Sequence, residues 1–218
     1  MKAQDLVSRA AAGLLLISVA PLLGICAAAI FLEDGMPIIF RQQRVGLYGR
    51  RFVILKLRTM KRVSGPRKIT ADNDSRITAA GRLMRHYKID ELPQLLNVFR
   101  GEMSFIGPRP EVPEYVDLSD RQWQTILSVR PGITDLASLA FRNEQILLSG
   151  QDDIERFYCA WLLPRKLCLS AHYIRTRSLS SDIKLLIMTI RHSLIPSQCE
   201  PVHIAQEFKY REEISYDA

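Results

Sequence analysis

The stretch AAAGLLLISVAPLLGICAAAIFL, residues 10–32, decides how this chain is organised, because its 23 residues include no charged side chain. A straight helix of that length, rising ~1.5 Å per residue, would be roughly 34 Å long and would be able to cross a bilayer. The core helices of soluble proteins rarely contain so long a run without a charge. The sequence therefore predicts a membrane-associated segment near the amino terminus.

Three forms of this segment are open from the residues alone. Lys2 and Arg9 before the run, with a cleavage site at residues 27–29, would make it a signal peptide. The second form is a straight transmembrane helix, and the third is a re-entrant helix that leaves the membrane on the side it entered. Pro21 removes a backbone donor in the middle of the run and predicts a kink. Basic residues favour the cytoplasmic side, and they also follow the run at residues 41–51, which favours the re-entrant form.

The composition indicates one folded domain and an anionic partner. The chain has 218 residues, of which 47% are hydrophobic, and its net charge of +7 suits a membrane surface, a nucleic acid or a phosphorylated substrate. No two cysteines have C-x-x-C spacing, which favours free thiols over disulfides, and no Cys/His pattern typical of a zinc site occurs. The cysteines are Cys26, Cys159, Cys168 and Cys199.

A basic stretch follows the apolar run. Residues 41–68 contain ten Lys or Arg residues and no Asp or Glu. Apolar and basic residues alternate within it, and Gly46 and Gly49 occupy a turn position, so we predict a β-hairpin over residues 37–60. The residues that follow, from Ser64 to Asp74, are predicted to form a surface loop. The basic face is either merely solvated or directed at anionic headgroups, and no nucleic-acid motif accompanies it.

The central part of the chain predicts two short helices. The first covers residues 75–87 and takes Asp74 or Ser75 as its N-cap. The second begins at Asp90 as N-cap, tolerates a proline in its first turn, and ends at Gly101.

The second helix would carry two adjacent carboxylates, Asp90 and Glu91, at its positive end. Such a pair is often only a helix cap. The alternative is that these carboxylates bind Mg²⁺, with phosphate oxygens completing the coordination.

The segment GPRPE, residues 107–111, places Arg109 between Pro108 and Pro110. The two prolines stiffen the backbone, so the guanidinium would be presented to a phosphate at little entropic cost. A rigid turn with a solvent-facing arginine explains the same residues equally well. The segment RPG at residues 130–132 repeats this chemistry.

The last third of the chain is predicted to be mainly helical. Residues 151–176 form one helical region, with Tyr158 and Trp161 available to an interface. A second helix, with Ser181 or Asp182 as its cap, runs to about residue 195 and either packs in the core or lies in the headgroup plane. Residues 196–218 are expected to be a weakly ordered tail.

Several of these segments together resemble the bacterial sugar transferase family, and within it the small monotopic phosphoglycosyl transferases. The resemblance covers about residues 1–195 and implies the minimal catalytic unit of the family. The fold class that we expect is α+β, a helix-rich single domain with a small β-hairpin, an N-terminal re-entrant membrane helix and interfacial amphipathic helices. The matching stretches are residues 40–46 (FRQQRVG), 57–60 (LRTM), 89–98 (IDELPQLLNV), 101–110 (GEMSFIGPRP) and 129–134 (VRPGIT), with Tyr173 and residues 182–184 (DIK) in the carboxy-terminal pattern. The expected parts are the membrane helix at 1–36, the catalytic domain at 37–195 and the tail at 196–218.

The resemblance also implies a reaction. Asp90 would attack the β-phosphorus of a UDP-sugar and expel UMP, and polyprenyl (undecaprenyl) phosphate would then take the phosphosugar from the enzyme. Mg²⁺ would be ligated in part by Asp90, and Glu91 would act as an acid, a base or a positioning group. The substrate contacts would come from Arg58, Arg85, Arg109, Pro110 and Arg142.

The resemblance places the enzyme on the cytoplasmic face of the bacterial inner membrane, where it would start the synthesis of a surface glycan. Two departures from the family pattern accompany it. The family breaks its re-entrant helix at Ser-Pro, where this chain has Ala20-Pro21. In a second region, which could contact the sugar or the base, residues 135–138 (DLAS) and 141–143 (FRN) replace the family segments. The sequence identifies neither the sugar nor the oligomeric state.

Two other classes of protein compete with this interpretation. A membrane-anchored scaffold or lipid-binding protein would use the basic face for attachment alone, and Asp90 would then be dispensable. A secreted protein with a cleaved signal would have a mature chain that begins near residue 30.

Overall fold

The computed structural model describes residues 3–61, 74–195 and 201–210. The predicted loop at residues 64–74 lies outside this range, apart from Asp74. The α-helices are α1 (Ala3–Asp34), α2 (Ala79–His86), α3 (Leu95–Arg100), α4 (Arg121–Leu127), α5 (Leu136–Ala140), α6 (Glu144–Ser149), α7 (Ile154–Phe157), α8 (Leu163–Thr176), α9 (Leu179–Leu194) and α10 (Pro201–Glu207). The strands are β1 (Ile39–Val45), β2 (Arg51–Leu57), β3 (Ser104–Ile106) and β4 (Gly132–Thr134). The result is a helix-rich chain with two small sheets, as the α+β prediction required.

The apolar segment forms the long helix α1, which is uninterrupted through Pro21. By length and composition it is able to cross a membrane, with a mean hydropathy of 2.6 over its most apolar window. The hydroxyl of Ser18 donates to the carbonyl oxygen of Leu14 at 3.0 Å, one turn before the proline. Small side chains make its contact with α3: Ala12 is buried there, and Gly13 lies against the ring of Phe99.

The predicted β-hairpin is confirmed. Strands β1 and β2 pair antiparallel, with Ile39 opposite Leu57 and Val45 opposite Arg51. Ile54 and Leu57, on opposite faces of β2, are both buried. Ile54 belongs to a core cluster with Ala12, and Leu57 to a second cluster with Cys26 and Ile30, so both faces of the strand share core clusters with α1.

Helix α2 begins later than predicted, at Ala79, and its N-cap is Thr78 rather than Asp74 or Ser75. The Thr78 hydroxyl accepts from the backbone N–H of Gly81 at 3.0 Å. The physical reason is a bridge between Met60 and Ile77, which holds the chain extended until the cap. The carboxylate of Asp74 binds the guanidinium of Arg76 instead.

The prediction that Asp90 caps a helix is wrong. Residues 89–94 form a 3₁₀ segment, and Lys88 precedes it in the left-handed conformation with a φ of 57°. The backbone N–H of Glu91 donates to the carbonyl oxygen of Lys88 at 3.2 Å, and this bond over three residues starts the tighter 3₁₀ pattern one residue before the expected cap. Helix α3 starts only at Leu95 and ends, as predicted, at Gly101, which has a φ of 81°. The carboxylate of Asp90 is consequently not used in a cap.

Two glycines bring the two arginine-proline segments together. Strands β3 and β4 pair in parallel, with Ser104 opposite Gly132. A methyl group on Gly132 would overlap the backbone of Gly107, and a methyl group on Gly107 would overlap the carbonyl oxygen of Arg130. This close approach fixes the backbone immediately before Arg109.

The main core lies among α4, α5, α8 and the carboxy-terminal segment. Two of its members are Tyr158 and Trp161, which are 5% and 8% exposed, so the prediction that they face an interface is wrong. They lie in a π-helical turn, Tyr158–Leu162, between α7 and α8. Both rings are large and mainly apolar, so packing them among the surrounding helices removes more apolar surface from water than leaving them exposed would.

The carboxy-terminal segments also differ in detail from the prediction. Helix α9 takes Ser178 as its cap, because its hydroxyl accepts from the backbone N–H of Ser181, while Asp182 binds the hydroxyl of Tyr173. Residues 201–210, expected in a weakly ordered tail, form α10 and a following turn instead. Ile204, Ala205, Phe208 and Tyr210 from this segment are buried in the main core.

Candidate active site

A cavity of about 1010 Å³ lies between the β-hairpin, α2, the 3₁₀ segment and the α6–α8 region. Six of the predicted site residues line it: Arg58, Arg85, Asp90, Glu91, Arg109 and Arg142. Pro110 is buried beside it, and its carbonyl oxygen accepts from Arg44 at 3.1 Å. Residues 135–138, expected to reach the sugar or the base, do not line the cavity. They lie at the start of α5, where Leu136 and Ala137 are part of the main core.

Glu91 is held by two cations. Lys56 Nζ lies 2.8 Å from Oε1, and the Arg109 guanidinium donates to both carboxylate oxygens, with 3.0 Å to Oε2. Burial acts to raise the pKa of Glu91, but the charges of Arg109 and Lys56 outweigh it and hold the pKa well below its usual range. The charge of Glu91 in turn raises the pKa of Arg109. Glu91 is thus an ionised group with a fixed orientation.

Asp90 is only 7% exposed, and its Oδ1 is buried without a hydrogen-bond partner among the described residues. Burial, and then the charge of Glu91, raise the pKa of Asp90, while Lys56, Lys88 and Arg85 oppose the shift. A buried carboxylate oxygen without a donor is costly unless a ligand or a reaction uses it. Asp90 therefore has the environment of a reactive group.

Metal binding at Asp90 depends on which other protein ligands lie nearby. Among residues 3–61, 74–195 and 201–210, no group of three or more His, Cys, Asp or Glu side chains could enclose a metal ion. The unpartnered Oδ1 of Asp90 nevertheless fits a single protein ligand to Mg²⁺, a cation that keeps several waters and often takes its other ligands from substrate phosphates.

The guanidinium of Arg85 also lines the cavity that contains Asp90. Its Nε donates to the hydroxyl of Thr59 at 2.8 Å, whereas its Nη1 is buried without a hydrogen-bond partner in the described part of the chain. Helix α2 can approach Thr59 because Gly81 has no side chain, and a methyl group there would overlap the Thr59 carbonyl oxygen. Burial lowers the pKa of Arg85 and the charge of Asp90 acts to raise it.

Arg58 and Arg142 line the cavity but have protein partners. Arg58 is 7% exposed and donates to the carbonyl oxygens of Asp34, Gly35 and Met36, at 2.8, 2.7 and 3.3 Å. It also lies 3.2 Å from the Asp34 carboxylate. Arg142 donates to the carbonyl oxygen of His86 at 3.2 Å. The structure therefore brings Asp90, Glu91, Arg85 and Arg109 together most closely.

Two lysines of the site were missed by sequence reasoning. Lys56 lies in β2 and bonds to Glu91, and Lys88 immediately precedes the 3₁₀ segment. Burial lowers the pKa of both, and Glu91 acts in the opposite direction. The available signals were a lysine inside an otherwise apolar strand and a lysine next to the two carboxylates. The missed residues on the other wall of the cavity are Arg44, Glu111, Glu144, Tyr158 and Lys166.

The arrangement defines a class of site. A carboxylate with one oxygen that has no hydrogen-bond partner in the described residues lies beside an ionised carboxylate and several half-buried cations, in a cavity that has room for a nucleotide-sized molecule. Such a site is suited to group transfer from an anionic substrate.

The chain belongs to the bacterial sugar transferase family, whose family model matches residues 2–195. It is therefore a transferase, and the resemblance predicted from the motifs is confirmed.

Curated relatives agree with this assignment. A UDP-glucose:undecaprenyl-phosphate glucose-1-phosphate transferase of Caulobacter vibrioides is 41% identical over 185 residues, which cover 83% of this chain and 65% of that protein. An uncharacterized sugar transferase, EpsL, of Bacillus subtilis is 34% identical and covers 77% of this chain and 75% of that protein. An undecaprenyl-phosphate glucose phosphotransferase of Komagataeibacter xylinus is 36% identical, but this chain spans 34% of its length.

Proposed function

We propose that this protein transfers a phosphosugar from a UDP-sugar to undecaprenyl phosphate, releases UMP, and so starts the synthesis of a surface glycan. The observation that carries the proposal is the buried Oδ1 of Asp90, which has no hydrogen-bond partner in the described residues and lines a cavity rich in cations. Relatives from Caulobacter vibrioides, Escherichia coli and Aeromonas hydrophila carry names that state this type of reaction for glucose or N-acetylgalactosamine.

The chemistry has two displacements at one phosphorus atom. A carboxylate oxygen of Asp90 bonds to the β-phosphorus, and the bond to the bridging oxygen breaks, so that UMP leaves with the electron pair. A phosphate oxygen of undecaprenyl phosphate then bonds to the same phosphorus and the Asp90 oxygen is released. Neither step needs a proton to be moved, because both leaving groups are stable anions. Dividing the transfer in this way also makes each step easier than a direct one.

The surrounding side chains support this role of Asp90. Its raised pKa makes the carboxylate more nucleophilic, while Lys56, Lys88 and Arg85 favour its ionised form. Arg85 Nη1 has a donor to offer a phosphate oxygen. Glu91 is ion-paired and has a lowered pKa, so it is better suited to orienting Arg109 and Lys56 than to giving up a proton.

Mg²⁺ fits this site through Asp90 and the diphosphate oxygens of the donor. Bound there, it would offset the negative charge of the diphosphate. Asp90 would be the protein residue that holds the ion.

The contacts of α1 support a protein that stays on one side of the membrane. Near its start, Asp5 pairs with Arg130 at 2.7 Å, and at its end Glu33 accepts from the backbone N–H of Ala79 at 2.7 Å. A straight helix would separate Asp5 from Glu33 by about 42 Å, more than the ~30 Å hydrocarbon core. Because both ends contact the same catalytic part, a straight crossing would pull charged residues of that part through the bilayer.

The opposite face of α1 suits lipid. It exposes large apolar side chains, among them Leu14, Ile17, Ile25 and Leu32, which are 68%, 74%, 69% and 83% exposed. Cleavage as a signal peptide would instead remove Ala12 and other residues that complete the core. We therefore favour a monotopic helix, re-entrant at Pro21, on the cytoplasmic face of the inner membrane.

Helix α9 offers a second apolar face. Leu185 points into the core, whereas residues spaced by three or four along the other side are exposed. This pattern supports a helix that lies among the lipid headgroups. The exposed residues are Leu179, Ile183, Ile187, Ile190 and Leu194.

The experiment that tests the proposal is UMP release from a panel of UDP-sugars, with Mg²⁺ and undecaprenyl phosphate. We expect release with at least one donor from the wild type and loss of release in Asp90→Asn, which keeps the size of the side chain. With the acceptor left out, a phosphosugar should remain on the wild-type chain and be detected by intact-protein mass spectrometry. UMP release by Asp90→Asn at the wild-type rate would exclude Asp90 as the nucleophile.

A further inference from the structure

Five side chains that the proposed mechanism does not use line the same cavity. We name Arg44, Glu111, Glu144, Tyr158 and Lys166 the paired cluster. Arg44 Nη1 lies 2.9 Å from Glu111 Oε1, and Lys166 Nζ lies 2.8 Å from Glu144 Oε2. The hydroxyl of Tyr158 donates to the other oxygen of Glu111. The paired cluster is thus a connected set of polar groups facing a cavity.

Its charges distinguish the paired cluster from the rest of the cavity wall. Burial acts to raise the pKa of Glu144, but Lys166 and Arg109 lower it, so the carboxylate is ionised beside its lysine. Each of the two cations therefore has a carboxylate partner, and the paired cluster carries little net charge. The part of the cavity wall around Asp90 and Glu91, in contrast, carries an excess of cations that suits a diphosphate, with Lys56, Arg85, Lys88 and Arg109 against the two carboxylates. An uncharged polar group is the better match for the paired cluster.

The atoms of the paired cluster that a ligand would reach are suited to binding hydroxyl groups. The side chain of Glu144 is 31% exposed, whereas that of Lys166 is 10% exposed, so the carboxylate is the member of this pair that a ligand would reach. The ring of Tyr158 offers no free face for a nucleobase, because Lys166 Nζ lies 5.4 Å from its centroid and the ring is 5% exposed. The Glu144 carboxylate remains as the partner for a sugar hydroxyl, and the Tyr158 hydroxyl, held by Glu111, lies beside it.

The backbone around Tyr158 supports a ligand-binding role. This residue starts the π-helical turn Tyr158–Leu162, which interrupts the helices α7 and α8. The turn lets the Tyr158 hydroxyl reach Glu111 while Trp161 packs in the core. Single π-helical turns inside α-helices occur frequently at functional sites.

We propose that the Glu144–Lys166 pair, with Tyr158 beside it, binds the sugar ring of the donor, and that this ring is an uncharged hexose with free hydroxyl groups. The inference rests on the proposed function, because it assigns one part of the same substrate. Glu144 accepts from a ring hydroxyl, and Lys166 holds the carboxylate in place. A hexuronic acid would bring its own carboxylate close to Glu144 and Glu111, which would repel it.

The test compares the Michaelis constant for UDP-glucose with the inhibition constant of UDP, which lacks the sugar. Both are measured by UMP release from the full chain in nanodiscs with Mg²⁺ and undecaprenyl phosphate. In Glu144→Gln we expect the Michaelis constant to rise about tenfold, the usual effect of losing a hydrogen bond to a charged group, while inhibition by UDP is unchanged. The preference for UDP-glucose over UDP-glucuronate should fall by a similar factor.

Two further variants complete the design. Tyr158→Phe keeps the ring and should raise the same Michaelis constant severalfold, so the proposal does not depend on one variant folding well. Glu207→Gln removes a glutamate that also pairs with a lysine, Lys184, but on the surface, and should behave as wild type.

The outcomes separate the two proposals. If the wild type releases UMP and both cavity variants match it, the assignment of the sugar site is wrong and the proposed function stands. Equal weakening of UDP-glucose and UDP would place the nucleotide, not the sugar, against Glu144 and would also overturn it. If the wild type releases UMP from no UDP-sugar, the proposed function fails and the sugar site fails with it.

Discussion

Replacing Glu91 by glutamine tests the electrostatic organisation of the site. The change keeps the shape of the side chain and removes one negative charge. In the wild type, Lys56 and the two terminal nitrogens of the Arg109 guanidinium contact that charge. The side chain of Glu91 is 11% exposed and that of Lys56 is 17% exposed, so water replaces the lost charge poorly. Two buried cations would be left without their main partner.

The expected loss of stability follows from the two ion pairs that Glu91 makes. Removing one member of a buried ion pair costs about 3–5 kcal/mol in the free energy of unfolding. In a chain of this size each kcal/mol changes the melting temperature by about 2–4 °C, so we expect a decrease of roughly 6–20 °C. The surface variant Glu207→Gln is the matched control, and its melting temperature should change by no more than about 2–4 °C, since exposed pairs contribute at most about 1 kcal/mol.

Glu91→Gln should also change the pH dependence of UMP release. The charge of Glu91 raises the pKa of Asp90, and Asp90 must be ionised to attack phosphorus. Without that charge, the pKa of Asp90 falls, so the acid limb of the pH–rate profile should move to lower pH even though the rate at its maximum decreases. The assays are thermal unfolding in detergent and initial rates of UMP release between pH 4 and 8. An unchanged melting temperature together with an unmoved acid limb would refute this account of the site.

Three further variants test how the site is positioned. Arg58→Lys should lower the free energy of unfolding by about 2–3 kcal/mol, because a lysine cannot contact the carbonyl oxygens of residues 34–36 together, while the Michaelis constant for the donor stays unchanged. A raised Michaelis constant at unchanged stability would instead make Arg58 a phosphate contact. Gly132→Ala should destabilise by about 1–3 kcal/mol, since its methyl group overlaps the backbone of Gly107, and a wild-type melting curve would contradict this. Phe208→Ala should cost about 3–5 kcal/mol in chemical unfolding if the carboxy-terminal segment belongs to the core, and less than 1 kcal/mol if it does not.

Local signals in the sequence determined much of the architecture. Alternating residues predicted the β-hairpin, a glycine predicted the end of α3, and the charge-free run predicted an apolar membrane-associated segment, which forms α1. These features depend on residues that are near one another in the chain, where periodicity and turn chemistry act directly. The motifs also identified the family and the pair Asp90 and Glu91.

Other features depended on contacts between distant residues. The partners of Glu91 are 35 and 18 positions away, at Lys56 and Arg109, and Lys166 is 22 positions from Glu144. No local pattern specifies such pairs, because they form only when separate elements pack around one cavity. The cap of α2 was missed for the same reason, because a long-range bond from the Thr78 backbone N–H to the Thr59 carbonyl oxygen decided where this helix begins.

The sequence by itself determined which groups this protein has for chemistry: an acidic pair, a proline-flanked arginine and an apolar helix. Only the tertiary structure decided their states, since burial and neighbouring charges determine the pKa of a carboxylate and both come from folding. It leaves Asp90 with one oxygen that no described residue contacts by a hydrogen bond, and Glu91 paired with two cations, although the two residues are adjacent in the chain. Their difference arises from what each side chain faces in the folded protein.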